Sequence, residues 1–131
     1  MSDDRTRVAQ ETAHRLFGVH VDLGARPGEL AAGAELRRTF YEHAFADSWT
    51  RTALDDRSRS LVTLATLAAL GAKDELRSHV AGALTLGVSA EEIVDLCIHV
   101  GVYAGVPRGG AAWDVASDVI DAQARRRAKQ P

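Results

Sequence analysis

Apolar residues recur along this 131-residue chain at the three- and four-residue spacing of a helix face. No stretch shows the strict alternation of a half-buried strand. In residues 3–17, Val8, Ala9, Thr12 and Leu16 share one face of a charged segment, which predicts a first helix. Gly18 to Gly28, broken by glycines and Pro27, predicts a loop. Residues 29–49 predict a second helix, with Leu30, Gly33, Leu36, Phe40 and Ala44 on one stripe and Glu29 suited to the positive end of its dipole. A third is predicted over 57–70, where Asp55 or Asp56 can cap the start and Gly71 can close the end in a left-handed conformation. The fourth runs from about 73 to 86, with Leu76, Val80, Ala83 and Leu84 inward and Gly87 ending it. Ser89-Ala90-Glu91-Glu92 forms a capping box, in which serine and glutamate satisfy each other's backbone donors. It opens a fifth helix whose buried stripe is Ile93, Leu96, Cys97, Val100 and Ala104. Gly105 and Pro107 stop that helix, and residues 111–127 form the last, with Val115, Val119 and Ile120 inward. The pattern predicts an all-α, single-domain bundle of about six helices over residues 1–131, with neither linker nor internal repeat.

Composition narrows the partners. With 46% hydrophobic residues the chain can bury a core, and aromatics at only 5% suit close-packed helices better than a β-sandwich. Sixteen basic against 18 acidic residues leave a net charge of −2, so no global field recruits nucleic acid or an anionic membrane. The basic tail Arg125-Arg126-Arg127-Ala128-Lys129 reads as the cation-favouring end of a helix. The longest apolar run, Leu61 to Leu70, is too short to span a bilayer, and the acidic opening Met1-Ser2-Asp3-Asp4 lacks the basic region of a secretory signal. A cytoplasmic, soluble protein is the expectation. One cysteine, Cys97, excludes an internal disulfide framework and any all-cysteine metal cage. Helix three is apolar nearly all round and needs cover on every side, so contacts between subunits are expected to supply part of it.

Three groups could carry chemistry. Glu75 and His79, four apart on one helix, share a face. They form either an acid/base unit, in which the carboxylate orients the imidazole and raises its pKa, or an exposed ion pair of little consequence. His79 falls between Leu76 and Ala83, on the packing face, which favours the first meaning. His99 and Tyr103 either line a pocket or leave His99 as a core histidine bonded to a carbonyl; nearby Gly101, Ala104 and Gly105 thin the helix for a close neighbour. Arg51, Arg57 and Arg59, with Arg108 after Pro107, are guanidinium groups of the kind carboxylate recognition uses, or else a solvated face. No histidine pair has metal-ligand spacing, no glycine-rich phosphate loop occurs, and Cys97 on the buried stripe reads as packing.

Four ordered segments carry a resemblance: Arg59-Ser60-Leu61-Val62-Thr63-Leu64-Ala65, Asp74-Glu75-Leu76-Arg77-Ser78-His79, Gly87-Val88-Ser89-Ala90-Glu91-Glu92-Ile93, and His99-Val100-Gly101-Val102-Tyr103-Ala104-Gly105-Val106-Pro107. Over roughly residues 35–119 the chain resembles the carboxymuconolactone decarboxylase family, with its alkylhydroperoxidase-like helical fold. The resemblance implies a carboxy-lyase of aromatic-compound catabolism through the β-ketoadipate route, working without metal or organic cofactor on a small lactone carboxylate. It also implies a homo-oligomer, trimer or hexamer, with sites near subunit boundaries. His79 would be the proton donor and Glu75 its orienter. Arg51 or Arg59 would hold a carboxylate, His99 or Tyr103 would serve the pocket wall or the enolate oxygen, and Trp49 and Arg108 join the substrate-binding set. Peroxidase members of the superfamily carry Cys-x-x-Cys-x-x-x-His; here Ala72 and Glu75 hold the cysteine places, so dithiol chemistry is not expected.

Departures from the family pattern bear on the substrate. A Gly-Glu-x-Trp-x-Arg-Pro-Gly-Leu run becomes Ala46-Asp47-Ser48-Trp49-Thr50-Arg51-Thr52-Ala53-Leu54, with the glutamate shortened to aspartate. An asparagine pair is replaced by Thr85-Leu86 and a Ser-Asn pair by Gly109-Gly110, with Arg108 newly beside it. A pocket losing such polar groups handles a polar substrate differently. Two alternatives therefore stand beside the lyase: an isomerase, cyclase or decarboxylase of specialised metabolism on a less polar substrate, and a non-catalytic ligand-binding oligomer.

Overall fold

A computed structural model describes residues 2–131; of residues 2 and 3 only the backbone is described, so most of the acidic opening lies outside the described side chains. Its helices are α1 (Ser2–Phe17), α2 (Ala31–Glu42), α3 (Asp56–Leu70), α4 (Lys73–Thr85), α5 (Ala90–Ala104) and α6 (Val106–Ala128), with a π-helical segment (His43–Ser48) directly after α2. Among the described residues there is no strand, and no helix is long and apolar enough to cross a membrane. The chain divides into two compact units, residues 1–55 and 56–131.

In the C-terminal unit, α4 and α5 each pack on α3 and α6. The core joins Leu64 and Ala68 of α3 to Leu76, Val80 and Ala83 of α4, Ile93, Cys97 and Val100 of α5, and Ala112, Val115 and Val119 of α6. These are positions that the three- and four-residue spacing selects, with Leu84, Leu96 and Ile120 partly buried against them, but Ala104, expected on the buried stripe of α5, is exposed. The punctuation also holds. Gly71 and Gly87 close α3 and α4 at φ +71° and +90°, where a Cβ would strain the backbone. The Ser89 hydroxyl accepts from the Glu92 N–H at 3.1 Å while Glu92 Oε1 accepts from the Ser89 N–H at 3.1 Å.

Two boundaries differ from expectation. The last helix begins at Val106, five residues early, because Pro107 occupies its first turn, where a missing N–H costs nothing. Only Gly105, at φ +107°, separates α5 from α6. The single helix expected over 29–49 is α2 continued by the π-helical segment, in which the Trp49 N–H reaches back five residues to the Ala44 carbonyl at 2.9 Å. The stripe of α2 faces outward, with Leu30, Leu36 and Phe40 exposed, while Glu42, Phe45 and Trp49 are buried in the N-terminal unit.

Candidate active site

His79 stands two turns into α4, flanked by the buried Leu76, Val80 and Ala83. This setting leaves the ring half-buried and its Nδ1 sealed from solvent. Burial pushes its imidazole below the ordinary histidine value; the charge of Glu75 opposes this without reversing it. The expected rise in pKa is therefore corrected to a fall. Glu75 is solvent-exposed, so water weakens its field, whereas desolvation acts on the ring directly.

His99 and Tyr103 do meet, with ring centroids 4.8 Å apart and planes inclined at 47°. Both are exposed on α5, so His99 is not a core histidine. It lines a groove of about 550 Å³ between α3 and α5, with Leu61, Val62, Ala65 and Leu96 as floor and Glu92 and Asp95 at the edge. His79 is not part of that lining.

The arginines separate. Arg57 pairs with Glu92, tying the start of α3 to the capping box of α5. Arg108 lays its guanidinium against Gly71, where any side chain would collide with it, and so sits at the negative end of the α3 dipole. Arg59 is half-buried with its Nε sealed, one residue before the buried Ser60. Arg51 and Trp49 belong to the N-terminal unit: Trp49 is buried in edge-to-face contact with Phe17 at 5.6 Å, and Arg51 lies two residues on, in an exposed turn.

Ser60 was not singled out from the sequence. It is 1% exposed, and its Oγ has no hydrogen-bond partner among the described residues, whereas Thr63 and Thr66 on the same helix donate to carbonyls one turn back at 2.8 Å. The signal was available, since Ser60, Leu64 and Ala68 form one four-residue stripe. A second groove, about 570 Å³, lies along α5 and α6 and is lined by Cys97, Ile98, Gly101, Val102, Val106 and Trp113 among others. Burial raises the Cys97 thiol above its usual value, which keeps it protonated and a poor nucleophile, in line with a packing role. Gly109 explains one departure from the family pattern: a Cβ there would lie 2.6 Å from the Cys97 carbonyl oxygen, so α5 and α6 touch backbone to backbone. Among the described residues, no three histidine, cysteine or acidic side chains gather to hold a metal.

The model of the carboxymuconolactone decarboxylase family matches residues 34–118. A 4-carboxymuconolactone decarboxylase from Acinetobacter baylyi is 42% identical over 77 residues, which span 59% of this chain and 58% of that protein. Nitrosuccinic acid decarboxylase npaB from Metarhizium robertsii is 39% identical over 118 residues, covering 82% of this chain and 81% of its own. That match spans well over half of the sequence: the chain belongs to the carboxymuconolactone decarboxylase family.

Proposed function

We propose that the protein is a decarboxylase that removes CO2 from a carbon whose electrons can drain into a neighbouring acceptor, with His79 returning a proton to the resulting anion. The observation that carries this reading is the half-buried imidazole of His79, sealed at Nδ1, in the charge field of Glu75 on a helix within the family match. In a γ-carboxymuconolactone, the bond to the carboxylate breaks, CO2 leaves, and the electron pair spreads through the ring alkene to the lactone oxygen as a dienolate. Imidazolium then protonates the ring carbon beside the carbonyl and is recharged from solvent. In nitrosuccinate the same steps pass through a nitronate, and the longer match to the second relative supports testing it alongside.

Both substrates keep a second carboxylate after CO2 departs. Arg51 or Arg59 is assigned to hold it, as the family resemblance implies, with Arg108 in the substrate-binding set. His99 and Tyr103 are assigned to the substrate-facing wall and the enolate oxygen. CO2 release by the purified protein, assayed with each substrate, tests the reading; no release from either would overturn it.

Two further results are expected. Because imidazolium is the acid and burial lowers its pKa, kcat/KM should rise as pH falls, along a limb below the ordinary histidine value. Glu75 favours the charged ring, so Glu75→Gln should move that limb to lower pH; an unmoved limb would remove Glu75 from the orienting role. The second concerns assembly. Val62 and Leu70 of α3 and Ile98, Val102 and Val106 of α5 and α6 are all more than half exposed, more apolar surface than a lone small unit sustains. A trimer or hexamer is proposed, and light scattering that returns a 14.0 kDa particle at micromolar concentration would refute it.

A further inference from the structure

The outer face of α5 is unused by the reaction above. Glu91, Asp95, Ile98 and Val102 follow one another at intervals of four, three and four residues, so they form a single ridge opposite the buried Val100. All four are exposed, Ile98 at 61% and Val102 at 71%. The ridge is acidic in its first half and apolar in its second. Neither Glu91 nor Asp95 has an ion-pair partner among the described residues.

Beside the ridge runs the groove of about 570 Å³ along α5 and α6. Gly101, Gly109 and Gly110 line it without side chains, alongside the exposed Val102 and Val106. A Cβ on Gly110 would meet nothing within 4 Å, so the groove is open there. A ridge and a groove side by side on one helix are self-complementary: two copies related by a two-fold axis each lay the ridge in the other's groove.

Charge sets the direction of the pair. The 23-residue α6 starts at Val106 with no side-chain cap and no acidic residue in its first turn, so the positive end of its dipole opens on the groove. Gly101 of α5 lies level with that start, since a Cβ there would be 3.8 Å from Val106 Cα and 3.9 Å from Gly109 Cα. In an antiparallel pair centred on Ile98, Asp95 of one copy falls level with Gly101 of the other, and Glu91 with Gly105. Both carboxylates then meet the bare start of α6. A parallel pair would instead set each carboxylate against its own copy.

We propose that the groove along α5 and α6 is filled by the α5 ridge of a second copy, in an antiparallel two-fold pair centred on Ile98 that brings Glu91 and Asp95 of each copy to the α6 N-terminus of the other. The proposal rests on the reading that the chain assembles, and not on the decarboxylation. A hexamer contains two-fold axes, whereas a plain trimer has none. His99 lines the groove on the other flank of α5, outside the one that the ridge fills.

The test uses the full chain, in which the native Cys97 is buried, with single exposed cysteines added and a short bis-maleimide linker. Ile98→Cys should link to itself in more than about half of the chains, because a two-fold axis brings that position to its own copy. Glu91→Cys should not link to itself, its copies standing about 21 Å apart along the paired helices. Co-expressed with Val106→Cys, it should link to that chain. Val102→Asp should raise the dissociation constant, read by sedimentation, at least about 100-fold with helical circular dichroism unchanged. Val106→Glu sets an acid where Glu91 and Asp95 arrive and should raise it about tenfold, and adding Asp95→Lys to the same chain should recover most of that loss. The unaltered chain should hold an even number of copies. Three copies, an unlinked Ile98→Cys or a self-linked Glu91→Cys overturns the pair while the assembly stands; a single copy overturns both. An unaltered dissociation constant in Val102→Asp overturns the choice of groove, and one in Val106→Glu overturns the direction.

Discussion

Replacing His79 with glutamine is expected to lower kcat for CO2 release by at least about 100-fold, the usual contribution of a positioned general acid. The change keeps a polar side chain of similar reach at a half-buried position but removes the group that titrates. Helical circular dichroism should be unchanged, because the packing of α4 rests on Leu76, Val80 and Ala83. A variant that releases CO2 at the unaltered rate would leave His79 with no part in proton return.

The second large effect concerns the scaffold. Gly109→Ala would place a methyl carbon 2.6 Å from the Cys97 carbonyl oxygen and 2.9 Å from both the Cα and the N of Gly101. All three are backbone atoms, so no side chain can swing aside and α5 and α6 must move apart. Overpacking of this kind costs about 1–3 kcal/mol. Each kcal/mol should lower Tm by about 3–5 °C in a chain of this size. Gly101→Ala is the matched control, because its Cβ would meet Val106 Cα at 3.8 Å and Gly109 Cα at 3.9 Å, ordinary contact distances. It should leave Tm unchanged or raise it, since alanine is the better helix former by about 1 kcal/mol. Equal Tm values for the two variants would contradict the close crossing of α5 and α6.

What the sequence discloses here depends on how local each cause is. The Ser89–Glu92 capping box and the glycines at 71 and 87 act within a few residues, and each marks a boundary where it was expected. The core faces of α3 to α6 are equally plain, because burial repeats at the spacing of the helix. Pro107 shows the ambiguity of a single residue: it ends one helix and, one position inside the next, begins another. The π-helical segment leaves no mark in a search for 3.6-residue periodicity, and the bond from Arg5 to Asp47 within it joins residues more than 40 positions apart. The outward stripe of α2 has the same root. The residues packed against α1 there include Glu42, a buried carboxylate that a count of apolar positions passes over.

The candidate site divides along the same line. Spacing put Glu75 and His79 on one face, but the direction of the imidazole pKa depends on the neighbours that exclude water, which only the packed helices supply. The pairing of Arg57 with Glu92, and the contact of Arg108 with Gly71, likewise join residues more than 30 positions apart. Ser60 was recoverable from its stripe, although the lack of a partner for its hydroxyl among the described residues was not.

The central claim is that His79 hands the proton to the carbon anion left by CO2, and turnover in heavy water tests it most directly. With γ-carboxymuconolactone in D2O, the unaltered protein should release one CO2 per substrate and yield a product bearing one deuterium beside the lactone carbonyl in a single configuration. His79→Gln should lose that turnover. Deuterium in both configurations, or the same labelled product formed at the same rate by His79→Gln, would contradict it.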